Sequence, residues 1–209
     1  MRRRSFLLAA GSAAAAISLS ACSDNSDNDT PDDAEPGRQG GGEELPEADL
    51  DALAFAAGLE VLAVQTYRAA RDAFNAGALG QVPAVGVEFV DTAVAHHDQC
   101  LDLINGLLQQ GSQDPVAEPN EVVKSTLIDP ALAAAKSFVE IATVARTLET
   151  ATAATYLRAI QSQLQSPEAI RTAAGIQSTG QKRVAVLNFL LGTYPVPDTF
   201  QKTDTAISP

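Results

Sequence analysis

Two glutamates and one histidine recur at positions that helical spacing turns inward. In the first apolar stretch, Leu53, Glu60, Tyr67 and Phe74 follow one another every seven residues, with Ala56, Ala63 and Ala70 between them. A second seam runs through Val87, Val90, Val94, His97, Leu101, Ile104 and Leu108, and His97 is its only polar member. A third places Glu149 among Ala142, Ala145, Thr152, Tyr156 and Ile160. A fourth holds Ile176, Gly180, Arg183 or Val184, Leu187 and Leu191. An ionised carboxylate in an apolar core is so costly that it either loses its charge or is compensated. The compensators open to this chain are a metal ion, a cationic side chain, a tyrosine hydroxyl or trapped water. Carboxylate and imidazole together suit iron or manganese. His96 and Cys100 share a helix face at i, i+4, but two ligands specify no metal.

The elements that must position these groups are helices. Apolar residues recur at helical spacing from about residue 48 onward, and no segment alternates with period two. The spacing predicts helices over 48–76, 85–110, 131–164 and 167–191. The first ends in Gly77-Ala78-Leu79-Gly80, the second at Gly111 and the fourth at Gly192. Pro115, Pro119 and Pro130 mark a long connection between the second and third. Ser166 and Pro167 open the fourth as N-cap and first helical residue. Short links within each pair and a long one between the pairs predict an all-α, four-helix bundle of two antiparallel hairpins with a crossover between helices 2 and 3. The hairpins also echo each other: Leu59-Glu60 precedes Thr66-Tyr67 at the same spacing as Leu148-Glu149 precedes Thr155-Tyr156. Such a repeat suggests a duplicated helix pair.

On these residues the chain resembles bacterial ferritin-like domain proteins. Leu53 to Tyr67, Phe89 to Leu108, Leu148 to Leu157 and Ile176 to Gly192 are similar to that family's four helices. Tyr194-Pro195-Val196-Pro197-Asp198 is similar to its proline-bearing tail. In metal-binding relatives each hairpin supplies one inward glutamate and a Glu-x-x-His. The resemblance implies that Glu60, His97 and Glu149 are residual metal ligands. It also implies that Val94, Gly180 and Arg183 stand where a glutamate, a glutamate and a histidine are missing. Arg183 is then expected to lie between Glu60 and Glu149 and supply positive charge, with Tyr67 and Tyr156 donating hydrogen bonds in one buried polar network. Asp91, roughly one and two-thirds turns before His97, is a further candidate oxygen without the family spacing.

The N-terminus sets an expected compartment. Arg2, Arg3 and Arg4 precede an apolar run from Phe6 to Leu19, too short for a membrane span and suited to an export signal over residues 1–21. Arg3-Arg4-Ser5-Phe6-Leu7 resembles a twin-arginine signal. Leu19-Ser20-Ala21-Cys22 resembles a bacterial lipobox, which implies lipidation of Cys22 and a membrane-anchored, periplasmic or outer-surface protein. Residues 22–47 are expected to be an acidic, disordered linker, followed by the bundle over 48–192 and a C-terminal tail over 193–209. With Cys22 lipidated, Cys100 has no intrachain partner for a disulfide.

The formal net charge of −12 excludes a nucleic-acid partner. No nucleophile–base arrangement or phosphate-binding glycine loop is readable. The expected function is a lipid-anchored envelope module, non-catalytic and binding or structural, with a lost di-iron centre and no cofactor. The alternative is a redox or iron-handling protein holding iron or manganese on the residual ligands. The many alanines also permit a homodimer through helix faces.

Overall fold

A computed structural model describes residues 44–208. The export signal, the lipidation site Cys22 and the linker up to residue 43 lie outside the described residues. Helix α1 spans Glu47–Asn75 and α2 spans Ala84–Gln110. Three short segments follow: α3 (Glu121–Val123), a π-helical stretch (Lys124–Ile128) and α4 (Asp129–Ala134). Helices α5 (Phe138–Ser162) and α6 (Pro167–Leu190) complete the bundle. No strand occurs among the described residues, and none of their helices is long and apolar enough to cross a membrane.

Each hairpin packs chiefly on itself, α1 with α2 and α5 with α6, while α1 meets α5 and α2 meets α6 across the core. The apolar seams explain this arrangement. Leu53, Ala57, Ile104, Leu108 and Tyr156 share one buried cluster, and Leu59, Leu62, Ala63, Val144 and Leu148 share another. The two leucines of the repeat, Leu59 and Leu148, therefore share one apolar cluster. Gly111 at the end of α2 lies against Leu50, and Gly86 at its start lies against Phe138. The connection from α2 to α5 thus runs the length of the bundle. It is fastened midway, where Asn120 N–H donates to the Gly58 carbonyl at 2.9 Å.

The start of the third long helix differs from the sequence expectation, whereas α2 ends at Gln110 as expected. The third long helix was expected from residue 131, but the backbone breaks at residues 135–137 and α5 starts at Phe138. The cause is a reciprocal cap. Ser137 Oγ accepts from Glu140 N–H, and the Glu140 carboxylate accepts from Lys136 N–H at 2.6 Å. Pro130 does not break the chain: it stands within one contiguous helical run from Glu121 to Ala134, directly after the π-helical stretch. At the end of α2 the left-handed residue is Ser112, with φ 61°, and not Gly111. Gly111 packs closely instead: a Cβ there would sit 2.4 Å from a Leu50 methyl and oblige that side chain to shift.

The turn between α5 and α6 is held by a buried acid. The carboxylate of Asp49 on α1 accepts from Gln165 N–H at 2.7 Å and Ser166 N–H at 2.8 Å. Past Gly192 the tail folds back along α6 and α5. Asn188 binds the Pro195 carbonyl, and Ile207 N–H donates to Thr155 Oγ1 at 2.8 Å.

Candidate functional site

The inward positions of α1, α2, α5 and α6 meet in one polar network inside the bundle. Glu60, His97 and Glu149 are each at most 1% exposed, and Arg183 is 5% exposed. His97 lies between the two acids. Its Nδ1 is 2.6 Å from Glu60 Oε2, and its Nε2 is 2.9 Å from Glu149 Oε1. A neutral imidazole donates from only one nitrogen, so a ring flanked by two carboxylates is held as the imidazolium. Burial opposes that charge, but Glu149 and Glu60 outweigh it and raise the pKa to about 9. For Glu149, burial likewise opposes ionisation, yet His97, Arg183 and the Tyr67 hydroxyl lower its pKa to about 2.

Arg183 stands against one acid. Its Nε donates to Glu149 Oε1 at 2.7 Å, and no hydrogen bond joins it to Glu60. The expected position between the two carboxylates is taken by His97. The correction has a simple cause. Arg183 belongs to α6, which packs mainly on α5, whereas His97 on α2 reaches both α1 and α5 at the centre.

The tyrosines close the network with a reciprocal pattern. Tyr67 on α1 donates to Glu149 on α5 at 2.7 Å, and Tyr156 on α5 donates to Glu60 on α1 at 2.7 Å. A Glu and a Tyr seven residues apart share one helix face. Two such helices lying antiparallel bring each acid opposite the other's hydroxyl. Burial, followed by the adjoining carboxylate, pushes both phenol pKa values well above their ordinary value, so both hydroxyls stay protonated and donate. Tyr67 also stacks on the His97 ring, with centroids 5.6 Å apart. The threonines of the repeat turn to their own helices. Thr66 and Thr155 each donate to a carbonyl four residues back at 2.7 Å.

The formal charges balance, with two carboxylates facing one imidazolium and one guanidinium. Of the six donor atoms that Glu60, His97 and Glu149 offer, only Glu149 Oε2 has no partner among the described residues. It lies 3.9 Å from where a Cβ on Gly180 would stand, and that Cβ would also come within 3.2 Å of the Ala153 methyl. Val94 packs against the apolar cluster of Tyr67, Val90 and Leu187.

The remaining candidates lie elsewhere. Asp91 is at the surface, ion-paired with Arg71 at 2.8 Å, and does not reach the network. Cys100 is buried in the apolar core, and burial, followed by repulsion from Glu60, pushes its thiol up to about 12. His96 is half-buried beside a shallow hollow on the outer face of α2. Outside this network, no three His, Cys, Asp or Glu side chains among the described residues are grouped to hold a metal ion.

Sequence reasoning missed Asp49, although it falls one helical turn before Leu53 in the inward seam, which was the available signal. It also missed the bridging role of His97, which depends on the spacing between helices. No curated protein and no solved structure matches the chain. The family model of the ferritin-like domain matches residues 48–193, which takes in both hairpins and every member of the buried network. The match covers well over half of the chain, and the protein belongs to the ferritin-like domain family.

Proposed function

We propose that this protein is an exported, lipid-anchored envelope module of the ferritin-like family in which a self-neutralised ion network stands in place of a two-metal centre. The observation that carries this reading is the saturation of His97. Both of its ring nitrogens are engaged by Glu60 and Glu149, and Arg183 supplies the second positive charge. A pair of hard cations needs several converging oxygen and nitrogen donors. The donor set here does not fit such a pair, because a single carboxylate oxygen, Glu149 Oε2, is left unpaired among the described residues and a guanidinium already holds the other oxygen of that carboxylate. On this reading the module is a non-catalytic binding or structural unit, and the lipobox-like Leu19-Ser20-Ala21-Cys22 supports an anchor to the membrane through Cys22.

Two experiments test the reading. Full-length protein made in iron- and manganese-supplemented medium is expected to carry far less than one metal per chain by elemental analysis. Stoichiometric iron or manganese, lost on Glu60→Ala, would overturn the reading and favour a metal-handling role. For the anchor, radiolabelled palmitate is expected in the wild-type chain and not in Cys22→Ala. A soluble, unlabelled wild-type chain would remove the anchor from the proposal.

A further inference from the structure

A second site lies under the C-terminal tail, away from the buried network. The tail from Pro195 to Thr205 and the outer faces of α5 and α6 enclose a groove of about 560 Å³. That volume is in the range of small-molecule pockets, roughly 300 to 1,000 Å³. Its charge runs against that of the chain. Arg146, Lys182 and Lys202 line it with Asp198 and Asp204, one net positive charge in a protein of net charge −12. Lys202 is paired with Asp198 at 3.0 Å. Arg146 and Lys182 make no ion pair among the described residues.

One residue lining the groove holds an unpaired amide nitrogen. Gln201 accepts through Oε1 from Gln177, and its Nε2 is buried with no partner among the described residues. Apolar surface from Val184, Val196 and Phe200 completes the lining, and Val196 and Phe200 are largely exposed. Two free cations, an unused amide donor and an apolar wall are complementary to one ligand class. We infer that the groove binds a small organic anion, a carboxylate with a short apolar body. The carboxylate meets Arg146 and Lys182, and the apolar body lies against Val196 and Phe200. This inference does not depend on whether the bundle centre holds metal.

The test uses the full chain and three probes: hexanoate, 1-hexanol and inorganic phosphate. The protein contains no tryptophan, so Phe200→Trp provides a fluorescence reporter in the groove. Side-chain amide NMR of Gln201 in the unsubstituted chain provides a second readout. Hexanoate is expected to give saturable changes in both, at least tenfold tighter than 1-hexanol and weakening as salt is added. Lys182→Gln, at an exposed position, is expected to weaken hexanoate several-fold, and Lys182→Gln with Arg146→Gln at least tenfold. The inference is overturned by no saturation with hexanoate, by equal binding of hexanoate and 1-hexanol, by unchanged affinity in the charge variants, or by saturation with phosphate alone.

Discussion

Tyr67 and Glu149 belong to different hairpins and share a buried hydrogen bond of 2.7 Å, which Tyr156 and Glu60 repeat at the same length. The two bonds are not energetically equivalent. Glu149 Oε1 also receives His97 and Arg183, whereas Tyr156 is the only donor to Glu60 Oε1 among the described residues. A charged acceptor left without a donor costs more than one that keeps others. Tyr156→Phe is therefore expected to destabilise the fold by about 2 to 3 kcal/mol, and Tyr67→Phe by about 1 kcal/mol. Urea unfolding of the two variants checks the order.

The pH dependence follows from both ends of one ion pair. His97 has a folded pKa of about 9, above its ordinary 6.5, so its contribution is complete below 6.5 and is lost as the pH rises through 9. Glu149 has a folded pKa of about 2, below its ordinary 4.5, so its contribution is complete above 4.5 and is lost as the pH falls toward 2. Stability is expected to be level between about pH 4.5 and 6.5 and to decline on either side, by an amount on the order of 3 kcal/mol on the alkaline limb. Because both limbs describe the same pair, their energies are not added. Thermal midpoints against pH, with His97→Asn flattening the alkaline limb, check this.

Removing the guanidinium leaves a buried acid short of its second cation. Arg183→Met is expected to cost about 3 to 5 kcal/mol, the range for breaking a buried pair by losing one partner. Arg183→Lys restores the charge but not the Nε–H that meets Glu149 at 2.7 Å, and should recover only part of the loss. Guanidinium-chloride midpoints distinguish the three chains.

Asp49 acts on the backbone. Asp49→Ala leaves the N–H groups of Gln165 and Ser166 without their acceptor, and a loss of about 2 to 4 kcal/mol is expected for two charge-assisted bonds. Amide exchange should speed up most at those two residues.

The cap at the start of α5 is a smaller effect. Ser137→Ala removes the acceptor for Glu140 N–H and should cost about 1 kcal/mol, measurable by urea unfolding.

The inward direction of Glu60, His97 and Glu149 was legible because a seven-residue recurrence fixes a helix face by itself. The reciprocal tyrosine bonds were half legible. The repeat Leu59-Glu60…Thr66-Tyr67 and Leu148-Glu149…Thr155-Tyr156 announces a duplicated helix, but only the antiparallel pairing of α1 with α5 sets each tyrosine opposite the other acid. The start of α5 was misplaced because the apolar period continues through residues 131–134. The signal of the break was local, Ser137 three residues before Glu140.

The sequence alone determined the helices, their inward faces, the long crossover and the charge that must be balanced inside, because these depend on spacing along one chain. Tertiary structure decided which cation balances which acid. His97 joins both carboxylates and Arg183 joins one, since those contacts depend on distances between helices that no single-helix pattern encodes.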